Sequence, residues 1–306
     1  MELRVLRYFL LAAREENITR AAELLHVTQP TLSRQLMQLE QELGTKLFRR
    51  GQHSITLTDD GMLLKRRAQE LVDLADKTER EFVKAEGVLT GELSIGSGET
   101  LSMHILAQWI SSFRAENPLV QYDIYSATAD EIKDRLEKGI LDMGLLVGPV
   151  DIAKYEFIPM PRKERWGILV SKDSPLAKYD RIGPADLAHT PLLIAKRNLV
   201  REELRRWFGS SFDSLELAGT YNLLYNAAVM AANGVGAVLC MEHDRAYENL
   251  RFIPLSPTLE TGAVLVWKKN QACSPAAARF FAHVQKCSER MAGDKIQALD
   301  ILNTAD

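Results

Sequence analysis

The sequence contains few cysteines, and their arrangement excludes the usual metal and disulfide frameworks. Three occur in 306 residues, Cys240, Cys273 and Cys287, and no two of them form a CxxC pair. An odd, scattered set of this kind is typical of a reducing compartment without structural disulfides. The six histidines are dispersed along the chain as well. We therefore predict no metal site and no cofactor.

Long hydrophobic runs are missing too. No stretch approaches the roughly 18 apolar residues that a membrane span requires, and Arg4 and Arg7 interrupt the N-terminal apolar run. Because that run ends in charged residues rather than in a small-residue cleavage site, we predict no signal peptide. Hydrophobic residues make up 46% and charged residues 26% of the chain, which excludes disordered and fibrous classes. We expect a soluble, cytoplasmic protein with no membrane partner.

The net charge of −3 excludes a strongly basic protein, but the charge is unevenly distributed. Residues 1–58 carry eight Lys or Arg and six Asp or Glu, a balance of +2, so the remaining residues carry −5. A basic end is compatible with a nucleic-acid partner. The asymmetry is mild and does not by itself distinguish DNA binding from a solvated surface.

Residues 1–58 combine three helical patterns with one hairpin pattern. Apolar residues recur at helical spacing over 3–13 and over 18–25. Thr28 and Pro30 predict the start of a third helix, because Thr is a favoured N-cap and proline is tolerated in the first turn. Gly44 lies where this helix would end in a left-handed cap. Residues that follow have the pattern of a hairpin with a basic tip.

The third helix begins with polar side chains that are suited to reading DNA. A helix-turn-helix needs small residues where its helices cross, here Ala21 and Ala22, and exposed polar residues at the start of its second helix. Gln bonds adenine edges, Arg bonds guanine edges or phosphates, and Thr or Ser bonds either. We expect the polar set Gln29, Thr31, Ser33 and Arg34 to be exposed. The alternative is a helical hairpin whose polar residues are merely solvated, which the basic tip disfavours. The candidate DNA-binding residues are Thr28, Gln29, Pro30, Thr31, Ser33 and Arg34 in the helix and Arg49, Arg50 and His53 at the tip.

A heptad pattern follows over residues 59–87. Apolar positions recur at spacings of 4-3-4-3-4-3 from Leu64 to Ala85, with a polar break at Thr78, which predicts one long helix that pairs with another helix. Packing of this helix on its own domain is the alternative, and the length of the stripe disfavours it. Two glycines bracket a predicted hinge at 88–91. The candidate dimerisation residues are Leu64, Ala68, Leu71, Ala75 and Phe82.

Strand-like and helical segments alternate from Gly91 to the end of the chain. This alternation predicts an α/β fold with largely parallel sheets, and the segment is long enough for two small lobes. The predicted strands are 93–96, 122–125, 143–147, 166–170, 192–194, 236–241 and 263–267. The predicted helices include 103–115, 129–138, 200–208 and 221–233.

The N-terminal motifs resemble those of the LysR-type transcriptional regulators. The run from residue 18 to residue 61 has the family's order and spacing: an AA pair, the helix start TQPTLSRQ, the turn LG-x-x-LF-x-R and the closing LT-x-x-G. The resemblance implies a winged helix-turn-helix at 1–58, a linker and dimerisation helix at 59–87, and an effector-binding domain at 92–306. The effector domain would resemble type 2 periplasmic binding proteins, with lobe I at about 92–161 and 267–306 and lobe II at about 162–266.

The same resemblance implies partners and an effector site. The partners would be promoter DNA, a small-molecule effector, a second copy of the chain in a homodimer or tetramer, and RNA polymerase. The family binds effectors at the loop after the first effector-domain strand and the turn after the second, where helix N-termini favour small anions. Two features, Glu99 and a turn at 147–149 without arginine, argue against a simple carboxylate. Thr100 and Thr128 are the strongest candidates. The candidate effector-binding residues are Ser97, Gly98, Glu99, Thr100, Thr128, Val147, Asn198 and Tyr221, with Lys196, Arg197 and Asn222 as further contacts.

An enzyme is the competing hypothesis, because two-lobed α/β folds also host catalysis. The sequence contains no Ser/His/Asp order with elbow glycines, no phosphate-binding loop and no metal-ligand spacing. We therefore predict a sequence-specific DNA-binding transcriptional regulator that a small molecule controls. A two-lobed enzyme, or a metabolite-binding protein with an accessory DNA-binding domain, is the alternative.

Overall fold

The computed structural model describes residues 1–51, 54–81, 88–244, 247–270 and 273–303, without the side chains of Arg50, Arg80, Glu81 and 292–303. The chain divides into two compact units, Met1–Val83 and Lys84–Asp306. The division lies inside the segment that the sequence predicts as a linker. The long helix of this segment therefore belongs to the first unit.

The first unit contains four helices and one hairpin among its described residues. The helices are α1 Leu3–Glu15, α2 Ile18–Leu24, α3 Gln29–Leu43 and α4 Asp59–Glu81, and the hairpin consists of the antiparallel strands β1 Phe48–Arg50 and β2 Ile55–Leu57. Asn17 caps α2 by accepting a hydrogen bond from the backbone N–H of Arg20 at 3.0 Å. Gly44 ends α3 with φ +67°, as its position after the leucine pattern predicts.

The apolar stripes of these helices meet in one core. Ala21 and Ala22 are buried where α2 packs against its neighbours, and the ring of Phe9 lies 5.3 Å from that of Phe48. Leu32, Leu36 and Leu39 form the buried face of α3. Because these leucines pack into the core, the opposite face of α3 is exposed to solvent.

Glu40 links the hairpin to α3 through hydrogen bonds. The sequence does not predict this role, because a glutamate on a helix is expected to be exposed. Its carboxylate accepts hydrogen bonds from the backbone N–H of Leu47 at 2.9 Å and of Phe48 at 3.3 Å, and from Nζ of Lys46 at 2.9 Å. Burial by itself would raise the pKa of Glu40, but these donors outweigh it and lower the pKa. The stabilisation is therefore present at neutral pH and is lost when the pH falls through this lowered pKa.

Helix α4 packs partly on its own unit, which corrects the predicted dimerisation stripe. Ala68 is fully buried and Leu64 is half-buried in the core of the first unit, together with Val72. Leu71 and Leu74 are instead 42% and 40% exposed. The heptad spacing identifies an apolar stripe, but α1 and the hairpin cover one edge of it. Phe82 lies outside the described residues.

The second unit is built on one mixed sheet. Its strands are β3 Gly91–Ser97, β4 Val120–Ser126, β5 Met143–Val147, β6 Tyr155–Ser171, β7 Leu192–Ala195, β8 Leu217–Tyr221, β9 Ala237–Met241, β10 Leu250–Pro254 and β11 Glu260–Lys268. Its helices are α5 Met103–Glu116, α6 Ala129–Glu137, α7 Asn198–Phe208, α8 Leu224–Ala232 and α9 Pro275–Asn303, with short 3₁₀ segments at 175–178, 184–187 and 209–214.

The sheet is parallel at its two ends and antiparallel in the middle. Strand β3 pairs in parallel with β4 and β5, and β7 pairs in parallel with β8 and β9. The long strands β6 and β11 join these parts and pair antiparallel with each other, with β5 and with β9. The predicted largely parallel sheet is therefore wrong in the centre, because these two strands run between the lobes in opposite directions. The sequence prediction also missed β8, β10 and residues 155–165 of β6.

Two lobes result, each with its own core. Lobe I contains β3 to β5, α5, α6 and α9, and lobe II contains β7 to β10, α7 and α8. Residues 263–266 pair with β5 in lobe I, and Ala263 and Leu265 are buried in its core. The predicted second boundary at 266 is therefore placed too late, since β11 has already entered lobe I at residue 263.

The described residues contain no helix that is both long enough and apolar enough to span a membrane.

Candidate functional site

The first candidate site is the outer face of α3. Thr28, Gln29, Pro30, Thr31 and Arg34 are all exposed. Thr28 adopts the extended conformation of an N-cap, and its hydroxyl shares a hydrogen bond with that of Thr31 at 2.8 Å. The leucines of the opposite face hold the helix in the core, so this face is a rigid platform of short polar and basic side chains. Such a face can donate to and accept from base edges.

Ser33 does not belong to this face, which corrects its prediction as an exposed base-reading residue. Its side chain is 9% exposed. Ser33 lies one residue after Leu32 and three before Leu36, on the edge of the helix that turns into the core. A periodicity based on apolar residues alone does not detect this small residue at the boundary.

The hairpin contributes one described basic side chain. Arg49 is exposed on β1, where it pairs with Thr56 of β2. The side chain of Arg50 and the whole of His53 lie outside the described residues. The predicted basic tip is thus represented by Arg49.

The second candidate site is a cavity of about 90 Å³ between the two lobes. Five of the eight predicted effector residues line it, namely Gly98, Glu99, Thr128, Val147 and Tyr221. The other lining residues come from both lobes and are mostly apolar: Ala127, Ala129, Leu145, Gly148, Trp166, Ala195, Lys196, Arg197, Val200, Asn222, Leu223, Leu224, Cys240, Met241 and His243.

Thr100, Ser97 and Asn198 do not line the cavity, so the prediction of Thr100 as a leading contact is corrected. The fully buried carboxylate of Glu164 takes the place where a ligand was expected. It accepts hydrogen bonds from the hydroxyl of Thr100, from the backbone N–H of Leu101 at 3.2 Å, and from the N–H and hydroxyl of Ser102 at 3.0 and 2.5 Å. The N-terminus of α5 is therefore already occupied by an anion of the chain itself, the carboxylate of Glu164.

Thr128 lines the cavity, but its hydroxyl and backbone N–H already form hydrogen bonds within the chain. It caps α6, and its hydroxyl and backbone N–H both donate to the carboxylate of Glu131, at 2.8 and 2.9 Å. This reciprocal capping box satisfies the first turn of α6. What Thr128 offers a ligand in this arrangement is contact surface rather than a free hydroxyl.

Two charged contacts join the lobes across the cavity. Glu99, from the loop after β3 in lobe I, accepts a hydrogen bond from the backbone N–H of Leu224, the first residue of α8 in lobe II. Arg197 of lobe II forms an ion pair with Asp130 and donates to the carbonyl oxygens of Val147 and Pro149 of lobe I, at 3.4 and 3.1 Å. The lobes are thus held together by side chains of the protein.

Burial shifts the pKa values of two further polar groups of the cavity, His243 and Tyr221. Burial lowers the pKa of His243 below its usual range, although the carboxylates of Glu99, Glu164 and Asp244 oppose the shift. Burial also raises the pKa of Tyr221 well above its usual value, and its hydroxyl donates to the carbonyl of Leu239 at 2.8 Å. Within the ranges that the structure describes, no cluster of His, Cys, Asp or Glu is arranged to hold a metal ion.

Sequence reasoning missed Glu164, Trp166 and His243. Glu164 lies on β6 far from the loop that it caps, and nothing local in the sequence distinguishes it from a solvated glutamate. Trp166 and His243 enter the cavity only because β6 and β9 lie side by side. No local signal would have pointed to Glu164, because the same strand also contains Glu156, Arg162, Lys163 and Arg165.

Comparison with known families matches nearly the whole chain. The family model described as a bacterial regulatory helix-turn-helix protein of the lysR family matches residues 3–62. The model described as a LysR substrate binding domain matches residues 86–288. The two models therefore cover the two structural units in turn.

Two named transcriptional regulators illustrate the similarity to known proteins. The Hca operon transcriptional activator HcaR of Escherichia coli (strain K12) is 26% identical over 294 residues, which cover 94% of this chain and 98% of that protein. The regulator BudR of Klebsiella aerogenes is 38% identical over 146 residues, which cover 46% of this chain and 100% of that sequence.

Solved structures share the fold. A crystal structure of full-length CbnR in complex with its target DNA superposes with a TM-score of 0.73 at 23% identity, and covers 94% of this chain and 99% of that one. The structure of CbnR described as a LysR family transcriptional regulator gives a TM-score of 0.76 at 22% identity, over 94% and 99% of the two chains. At these identities the similarity establishes the architecture.

Proposed function

Because the chain belongs to the LysR family of transcriptional regulators, we propose that it regulates a promoter by reading DNA with α3 and the hairpin while a small molecule occupies the interlobe cavity. The chain is a DNA-binding regulator with an effector-binding domain, and its relatives are regulators rather than enzymes. The enzyme hypothesis is therefore set aside. We place its action in the cytoplasm, where it would meet promoter DNA and RNA polymerase.

The exposed polar face of α3 carries the DNA-reading part of this proposal. Gln29 and Arg34 have the donors and acceptors that adenine and guanine edges require, and Arg49 supplies a positive charge for a phosphate. Specific binding that depends on base edges and on phosphates should weaken with salt and should favour the regulated promoter over random DNA. An absence of any preference for promoter fragments would refute the proposal.

Arg34→Ala should weaken binding to the promoter site by about 1–3 kcal/mol, or roughly five- to 160-fold, because a bidentate or phosphate contact is lost. The side chain is exposed, so the fold should remain intact. Fluorescence anisotropy with a labelled promoter fragment measures the change. Arg66→Ala is the matched control, since it removes the same charge from an exposed position on α4. Equal affinity of Arg34→Ala and the wild type would show that α3 does not face DNA.

The exposed part of α4 supports the proposal that two chains pair. Leu71 and Leu74 present a short apolar stripe to solvent, whereas Leu64 and Ala68 are used inside the unit. An exposed apolar stripe on a 23-residue helix is typical of helix–helix association. Of the five predicted dimerisation residues, we propose that Leu71 and the half-buried Ala75 contact a second chain; Phe82 lies outside the described residues.

Leu71→Asp should weaken the association of two chains at least tenfold, because burial of a carboxylate without a partner is unfavourable at an apolar interface. Sedimentation velocity of the full chain over a range of concentrations measures the effect. Arg66→Asp places the same carboxylate at another exposed position of α4 and should leave association unchanged. If Leu71→Asp sediments as the wild type does, the stripe is not the interface.

The cavity carries the effector part of the proposal. Residues from both lobes line it, so a bound ligand would contact lobes I and II at once. A ligand shifts the protein between two arrangements only to the extent that it binds one more tightly than the other. We infer that Gly98, Glu99, Thr128, Val147 and Tyr221 contact the effector, and that closure or opening of the lobes alters the DNA-bound assembly.

A further inference from the structure

The charged side chains around the interlobe cavity differ in whether they already have a partner of opposite charge. Arg197 is 12% exposed and is fully engaged by Asp130 and two carbonyl oxygens. Lys196 is exposed, so water screens its charge. His243 is held neutral by burial. Among the described residues around the cavity, the half-buried or buried carboxylates that form no ion pair with a cationic side chain are those of Glu99 and Glu164.

The N-termini of three helices near the cavity are also satisfied from within the chain. Glu164 accepts from the N-cap residue of α5, Glu131 from the N-cap residue of α6, and Glu99 from the first N–H of α8. At these three N-termini, an anionic ligand would have to displace one of the carboxylates or lie beside it. Because both outcomes cost electrostatic free energy, the part of the cavity that these helices form disfavours a carboxylate ligand.

One carboxylate oxygen of Glu99 can still accept a hydrogen bond from a ligand. Its Oε2 takes the N–H of Leu224, and Oε1 has no hydrogen-bond partner among the described residues. The residue lines the cavity. A carboxylate oxygen that is half-buried, unpaired and beside an apolar space is a suitable acceptor for a charged N–H donor.

Two aromatic rings line the same cavity with their polar atoms bonded elsewhere. The indole N–H of Trp166 donates to the hydroxyl of Thr261 at 2.7 Å, and the hydroxyl of Tyr221 donates to Leu239. The rings therefore offer carbon surface to a ligand rather than donors. Aromatic surface together with a carboxylate is the combination that recognises organic cations.

We propose that the interlobe cavity binds an organic ammonium ligand, an amine on a small apolar skeleton, whose nitrogen is held by Glu99 beside the rings of Trp166 and Tyr221. The apolar skeleton contacts Leu145, Val147 and other aliphatic lining residues. The proposal rests on the proposed function, since it names the chemical class of the effector at that site. It also predicts that the N–H donors of the ligand, and not an acid group, decide affinity.

The test uses three probes on one skeleton: benzylamine, benzyl alcohol and benzoate. Isothermal titration of the full chain without DNA should give affinities in that order, with benzylamine bound at least about tenfold more tightly than benzoate. n-Butylamine and butyrate repeat the comparison on a smaller skeleton. Tighter or equal binding of the carboxylates, or no binding of either amine at millimolar concentration, overturns the proposal.

Glu99→Gln tests the residue. The amide oxygen of glutamine still accepts from Leu224, so the contact between the lobes is retained while the charge is removed. The preference for the amine should fall about tenfold or more, whereas Glu116→Gln, at an exposed position of α5, should retain it. Tryptophan fluorescence during urea unfolding verifies that both variants are folded. An unchanged amine preference in folded Glu99→Gln contradicts the role of Glu99. Promoter binding is measured separately, so failure of the regulator proposal is distinguished from failure of the ligand class.

Discussion

Glu164→Ala is expected to destabilise the second unit by about 3–5 kcal/mol, because removal of a buried charged partner leaves its donors unpaired. Two backbone N–H groups and two hydroxyls, from Thr100, Leu101 and Ser102, lose their acceptor at once. Glu164→Gln should be milder, at about 1–3 kcal/mol, because its amide oxygen can still accept while its NH₂ group faces a donor.

Urea unfolding followed by tryptophan fluorescence measures this effect in the full chain. All four tryptophans, Trp109, Trp166, Trp207 and Trp267, lie in the second unit, so the signal reports that unit alone. Glu156→Ala is the control, since Glu156 is exposed on the same strand and should change the midpoint little. A midpoint of Glu164→Ala equal to that of the control would mean that the carboxylate does not stabilise α5.

Gly61→Ala should disrupt the first unit and abolish promoter binding. A Cβ at this position would lie 2.1 Å from the carbonyl oxygen of Leu47 and 2.9 Å from Cδ2 of Leu57. The backbone of the hairpin must move away from α4 to relieve this overlap, and we expect a loss of about 2–4 kcal/mol. The glycine of the LT-x-x-G motif is therefore required for close approach, not for a left-handed backbone.

Hydrogen exchange of the amides at residues 47–50 and 55–57 in the full chain measures the local loss of protection. Met62→Ala changes an adjacent, exposed residue and should exchange as the wild type does. The tryptophan transition of the second unit should be unchanged in Gly61→Ala, which distinguishes a local defect from general misfolding. Normal protection and normal promoter affinity would contradict the packing of α4 on the hairpin.

The sequence predicted most of the first unit because its signals are local. Thr28, Pro30 and Gly44 mark the ends of α3 through backbone preferences that act within a few residues. The leucine spacing of α3 predicts its buried face for the same reason. The leucine spacing does not predict the burial of Ser33, because a small polar residue at the edge of that face does not contribute to the apolar pattern.

The second unit was predicted less completely because its determining contacts are distant in sequence. Glu164 and Thr100 are 64 residues apart, and Glu99 and Leu224 are 125 apart. A loop with hydroxyls before a helix has the pattern of an anion site whether or not a carboxylate from elsewhere fills it. The pattern for this reason predicts a ligand contact at Thr100, whereas its hydroxyl is bonded to Glu164.

The amino-acid sequence by itself determined the helix-turn-helix, the family and the α/β character of the rest, since these follow from short-range propensities and from motif spacing. Only the tertiary structure decided which edge of α4 is buried, where β6 and β11 join the lobes, and which polar groups of the cavity remain available. Those outcomes depend on which segments pack together, and periodicity in one segment contains no information about its partner.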